Sequence, residues 1–182
     1  MRSYHAPLMS GWLPVQIDPI RLADEGVRLA GELPLDEFPR LRELVRAGSG
    51  TEPVTIELTF DRTVQGMRLM RGRLHARLPM TCQRCLETVV VALEAKPFAE
   101  LLRPGEPPVG LSDDVEALVV EGAQPLSELV EDELLLVMPM VPMHDEGECT
   151  APAAADKAAP AAEKKPSPFS KLRERRAKDR QT

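Results

Sequence analysis

Aromatic residues make up only 3% of this 182-residue chain, so its core has to be assembled from Leu, Val, Met and Ala. Cysteine is scarce too. Three of them, an odd number, argue against a disulfide framework and for a reducing, cytosolic setting. No apolar run is long enough to span a bilayer. After Arg2 the chain passes to Ser3, His5 and Pro7 rather than into an apolar stretch, so no signal peptide is expected. A Gly-rich phosphate loop, a Ser-centred nucleophile motif and a recognisable pair of catalytic carboxylates are all missing, which removes the commonest hydrolase and nucleotide-binding readings. His5 and His75 stand alone without ligand spacing, and there is no internal repeat.

Positive charge is missing from one long segment. No Lys or Arg occurs between Arg103 and Lys157, whereas Asp and Glu recur there; basic residues gather in the first half and again beyond Lys164. The net charge of −6 does not by itself suggest nucleic acid. Ordinary solvated surface would account for the pattern. A molecule with an acidic and a basic side would instead be oriented towards an anionic partner.

What is present reads as an α+β domain: a mainly antiparallel sheet built from hairpins, with packed helices. Residues 1–13 read as irregular. Asp18-Pro19 opens a short helix that Gly26 closes. Val27, Leu29, Gly31 and Leu33 alternate as a strand, and Asp36 begins a second helix through Leu41, Leu44 and Val45. Val54, Ile56, Leu58 and Phe60 form a half-buried strand. In the next strand Met70, Gly72, Leu74, Ala76, Leu78 and Met80 share one face, while Arg71, Arg73, His75 and Arg77 share the other. Thr88 to Ala95 is the return strand, continuing towards Leu102. Val115 to Val120 reads as one more strand. Residues 125–138 form the strongest helix, with Glu128, Glu131 and Asp132 on its polar face and Glu133 near the apolar stripe, where it could take a buried hydrogen bond. Pro139 and Pro142 end it.

The composition breaks after Cys149. Residues 1–149 read as one domain, 150–165 as a disordered Ala/Pro-rich linker, and 166–182 as a flexible basic segment anchored by Phe169 and Leu172.

Two clusters hold every cysteine. Cys82-Gln83-Arg84-Cys85 caps the hairpin between strands 70–80 and 88–95. His144-x4-Cys149 lies far downstream. A CxxC turn can aim two thiolates at one metal, and His144 with Cys149 would complete a Cys3His set. With all four positions filled by protein such a zinc site is structural. Packed reduced thiols are the plainer reading. A redox dithiol wants its first Cys at a helix N-terminus, yet this motif runs into Thr88-Val89-Val90-Val91.

Arg71, Arg73 and Arg77, with Arg84 in the knuckle, are a candidate phosphate-contacting stripe, and Arg173, Arg175 and Arg176 in the tail a second one. A solvated strand face would look the same. The low aromatic content argues against base stacking.

The run Leu129-Val130-Glu131-Asp132-Glu133-Leu134-Leu135-Leu136-Val137-Met138-Pro139-Met140-Val141-Pro142-Met143-His144, ending at Cys149, resembles the YceD family of large ribosomal RNA subunit accumulation proteins. Cys82-Gln83-Arg84-Cys85 is similar to that family's central motif, and Pro166-Ser167-Pro168-Phe169 to its C-terminal ending. Leu13-Pro14-Val15, Asp18-Pro19 and Gly31-Glu32-Leu33-Pro34 also fit. The resemblance implies a bacterial, cytoplasmic, non-enzymatic factor. It would support synthesis, processing or stability of large-subunit (23S) ribosomal RNA, with that RNA or an assembly intermediate as partner. Two other readings remain: a zinc-binding adaptor for a basic ribosomal protein, and a CxxC redox or metal enzyme.

Overall fold

The computed structural model describes residues 8–10, 13–48, 50, 52–108 and 115–149. The expected linker and basic segment lie outside the described residues.

The first strands are short: β1 (Leu8–Ser10) and β2 (Gln16–Ile17). Helix α1 (Pro19–Glu25) starts where the sequence placed it. The Asp18 carboxylate accepts from the Arg21 N–H at 3.1 Å, and Gly26 ends the helix in the left-handed conformation that glycine adopts without steric cost. Strand β3 (Arg28–Leu33) follows. The second expected helix is split into a 3-10 turn (Leu35–Glu37) and α2 (Pro39–Leu44), because Pro39 cannot supply the N–H that would carry the turn onward.

Strand β4 (Val54–Arg62) pairs antiparallel with β3 and with β5 (Arg68–Thr81), the longest strand described. β5 has two successive neighbours on its other edge. β6 (Thr88–Ala95) pairs with Leu74–Thr81, and β7 (Phe98–Leu102) with Leu69–Arg71. The expected continuous return strand is therefore two strands, divided at Lys96-Pro97, since proline cannot donate to a ladder. Pro79 sits inside β5 because β4 ends opposite His75, leaving β5 a strand neighbour on one side only.

β8 (Glu116–Val119) adds parallel to β7, and β9 (Gln124–Pro125) pairs with β2. β1 adds parallel to β3, which corrects the expectation that residues 1–13 are irregular throughout. Periodicity within so short a strand carries little signal; its partner, more than a dozen residues onward, makes it a strand.

The helices gather on one face of the sheet. α1 packs on β4, β5 and β7; α3 (Leu126–Leu136) packs on β5 and β6 and against α2. The core between them holds Phe38, Leu41, Phe60, Met70, Leu74, Leu78, Leu126 and Leu134, all fully buried. As the composition required, it is almost entirely aliphatic.

One buried charge differs from expectation. Glu131, placed on the solvated face of the last helix by its spacing, points inward and is 3% exposed. Its carboxylate accepts from the backbone N–H of Leu41 at 3.0 Å and from Arg40 Nε at 2.8 Å. The buried hydrogen bond suggested for Glu133 thus belongs to Glu131. α2 supplies the donors, and the helix's own pattern could not reveal them.

Candidate metal centre

The two cysteine clusters meet. Cys82 follows the last residue of β5, and a tight turn carries the chain to β6. The Cys82 N–H donates to the Glu87 carbonyl at 2.8 Å, and the Leu86 N–H donates to the Cys82 carbonyl at 3.0 Å. Leu86 takes φ +63°, a left-handed conformation rare for a branched residue, and Arg46 Nη1 donates to its carbonyl at 3.0 Å. The turn folds the backbone over the first thiol, so that the Arg84 N–H points at Cys82 Sγ at 3.4 Å. No helix begins at either cysteine.

The other half arrives from beyond α3. Pro139 ends the helical course, and the Gln83 N–H donates to the Pro142 carbonyl at 2.9 Å, holding the chain against the turn. Gly147, at φ +91°, then brings Cys149 back. The donor atoms of Cys82, Cys85, His144 and Cys149 all lie within 4.8 Å of one another. Cys82 Sγ is 3.8 Å from Cys149 Sγ, and Cys85 Sγ is 3.4 Å from His144 Nδ1. With Zn–S about 2.3 Å and Zn–N about 2.0 Å, the edges of a tetrahedral site would be about 3.8 Å and about 3.5 Å. These two of the six donor–donor distances therefore already match a tetrahedral ion, and the others lie within 4.8 Å.

The histidine is oriented by the main chain. Its Nε2 lies 3.0 Å from the Thr88 carbonyl, which can only accept, so Nε2 carries a proton and Nδ1 is the ring atom turned to the sulfurs. Thr88 had no sequence signal, because it acts through its backbone.

Electrostatics separates the thiols. Burial pushes Cys82 up, but the backbone N–H groups of Cys85, His144 and Arg84 and the His144 ring outweigh it and bring the thiol down to about 5. Cys149 is pushed up to about 11 by burial and by the neighbouring Cys85 and Cys82. The hydrogen bond to Cys82 raises His144. A cation added here would relieve the repulsion among the thiolates.

The arginine candidates divide. Arg71 and Arg73 line a shallow trough of about 390 Å³ on the sheet's outer face, together with Arg28, Lys96, Glu57 and Phe98. Arg71 pairs with Asp61 at 2.6 Å, Arg77 with Glu52 at 3.8 Å, and Arg73 sits opposite Glu57 in register. The stripe is thus interleaved with carboxylates from β4 and, at Glu52, from the chain just before it, more than its own sequence suggested. Arg84 lies away from that trough, beside Met143. Arg173, Arg175 and Arg176 lie outside the described residues. Phe98, 44% exposed beside Arg71, was missed. The only sequence hint was an aromatic directly after Pro97.

Among the described residues no helix is long and apolar enough to cross a membrane. No solved structure matches the chain. A curated protein of Haemophilus influenzae, Large ribosomal RNA subunit accumulation protein YceD, is 29% identical over 165 residues, covering 88% of this chain and 94% of that protein. The family model described as Large ribosomal RNA subunit accumulation protein YceD matches residues 70–174, a span that takes in all four donors of the Cys/His cluster. With more than half of its length matched in this way, the chain belongs to the YceD family.

Proposed function

We propose that this protein is a non-enzymatic, cytoplasmic factor of ribosome biogenesis that supports accumulation of large-subunit ribosomal RNA. The observation that carries this is the match to a relative named for that role, extending over 94% of the relative's length. Its partner is the ribosomal RNA or a large-subunit assembly intermediate. The test is depletion of the protein, followed by quantification of large- against small-subunit ribosomal RNA. A selective fall in the large-subunit species, restored by re-expression, is expected; an unchanged ratio overturns the reading.

Zinc is the cofactor that the donor set fits. Cys82, Cys85, Cys149 and His144 Nδ1 would hold it, and four protein ligands leave no position for substrate, as in structural rather than catalytic sites. Its contribution would be to tie the β5–β6 turn to the chain beyond α3. The RNA contact falls best on the trough, where Arg28, Arg71, Arg73 and Lys96 converge, three of them exchanging carboxylate partners (Glu57, Asp61 and Glu94) for phosphate on binding, and where Phe98 is half exposed.

A further inference from the structure

The chain between α3 and the Cys/His cluster carries an apolar surface that the core does not use. Met140 is 99% exposed, Val141 53% and Met143 45%. A hollow lies on each side of this ribbon. One, of about 510 Å³, runs from Met140 to Leu44, Met80 and Leu135 and includes Glu43. The other, of about 400 Å³, runs from Val141 and Met143 to Val90 and includes Asp145 and Glu146. Pro139 and Pro142 line both, so the two hollows are one surface folded over the ribbon. The Gln83 N–H bond to the Pro142 carbonyl and the anchorage of His144 hold that ribbon in place.

Charge selects the occupant. No Lys or Arg occurs from Pro104 to Cys149, and Glu43, Asp145 and Glu146 line the two hollows. Arg84 is the one Lys or Arg among the described residues lining the two hollows. Phosphate would be repelled here, and so would a second copy presenting the same acids. A cationic chain with apolar anchors is complementary on both counts. Unbranched methionine side chains repack around anchors of varied shape, as at other surfaces that take amphipathic segments.

We propose that the Met140–Met143 ribbon and its flanking hollows dock a Lys/Arg-rich protein segment that inserts large apolar side chains beside Met140 and Met143. The surface stands on its geometry and charge. Only the expectation that the partner is a ribosomal or assembly protein rests on the function proposed above.

A photo-crosslinking amino acid placed at Val90 of the full-length protein in cells tests it, with the captured peptides sequenced. The expected adducts are peptides of net positive charge containing large apolar residues. Met140→Glu with Met143→Glu should cut their yield at least tenfold at an unchanged melting temperature, and Met140→Leu should preserve it. Adducts to RNA, to a second copy of this chain or to acidic peptides overturn the proposal, as does a yield indifferent to the glutamates. Basic partners from outside the ribosome leave the docking surface standing and count against the ribosomal reading. Loss of large-subunit RNA on depletion, with no basic peptide captured, does the reverse.

Discussion

Glu131 in α3 accepts a hydrogen bond from the backbone N–H of Leu41 in α2 at 3.0 Å, across 90 positions of sequence. The second carboxylate oxygen takes Arg40 Nε at 2.8 Å. One buried side chain thus satisfies a donor near the start of α2 and fixes the two helices against each other. Glu131→Ala leaves the Leu41 N–H buried without its acceptor, and a loss of about 2–4 kcal/mol is expected in urea unfolding. Glu131→Gln keeps one acceptor oxygen and should lose less. Equal losses would assign the effect to packing alone.

Glu133 gives the opposite sign. Burial, then the nearby Glu116 and Asp132 charges, raise its carboxyl above the usual carboxylate range. The folded protein therefore holds that proton more tightly than the unfolded chain does. The group's unfavourable contribution grows as pH rises from the unfolded carboxylate range through the folded pKa. Glu133→Gln should raise the melting temperature at pH 7 and lose this advantage near pH 4. A benefit that persisted at acid pH would point to helix propensity instead.

One zinc per chain is expected after purification under reducing conditions, with a cobalt-substituted form showing the absorption of a tetrahedral sulfur-rich site. At free zinc 100- to 1,000-fold above its dissociation constant, the ion should stabilise the fold by roughly 3–4 kcal/mol, and a chelator should remove that increment. Cys82→Ser should abolish the chelator effect. Full stability without metal would return the cluster to packed thiols.

Gly72 is expected to resist replacement. A Cβ there would collide with the Glu57 carbonyl oxygen and stand 2.8 Å from Leu58 Cδ2. Both atoms belong to β4, the first to its backbone, so the strand itself must move. Gly72→Ala should cost about 1–3 kcal/mol, measured by chemical denaturation. A neutral result would show that β4 yields locally.

Arg71→Ala with Arg73→Ala removes two charges from the trough. Binding to a 20-nucleotide single-stranded RNA should weaken. The slope of log affinity against log salt should fall by about 1–1.5, at about 0.7 per phosphate contact. An unchanged slope would take the sheet face out of RNA recognition.

The elements with a strong period were legible. The alternation of Met70 to Met80 gave β5, and Asp18-Pro19 with Gly26 gave α1. The meeting of Cys82, Cys85, His144 and Cys149 was legible from residue type and spacing, even though the halves are 59 and 67 positions apart. Facts that belong to a pair of elements were hidden. The parallel pairing of β1 to β3, the ion pairing of Arg71 and Arg77, and the inward turn of Glu131 each depend on a neighbour remote in sequence. Glu131 shows the limit plainly. Its spacing fits a solvated face, and only the open N–H of Leu41 reverses that.

The distance between the two halves of the Cys/His cluster also sets a schedule. A ribosome adds about 5–20 residues per second, and 59 positions separate Cys85 from His144. For roughly 3–12 seconds of each chain's synthesis, by that rate, the Cys82–Cys85 thiols exist without their partners. In that interval they are an incomplete chelate, open to oxidants and to competing metals. With zinc as the ligand proposed above, the vulnerable moment of this fold would be its birth, and shortage of metal would be felt first in newly made protein rather than in the finished pool.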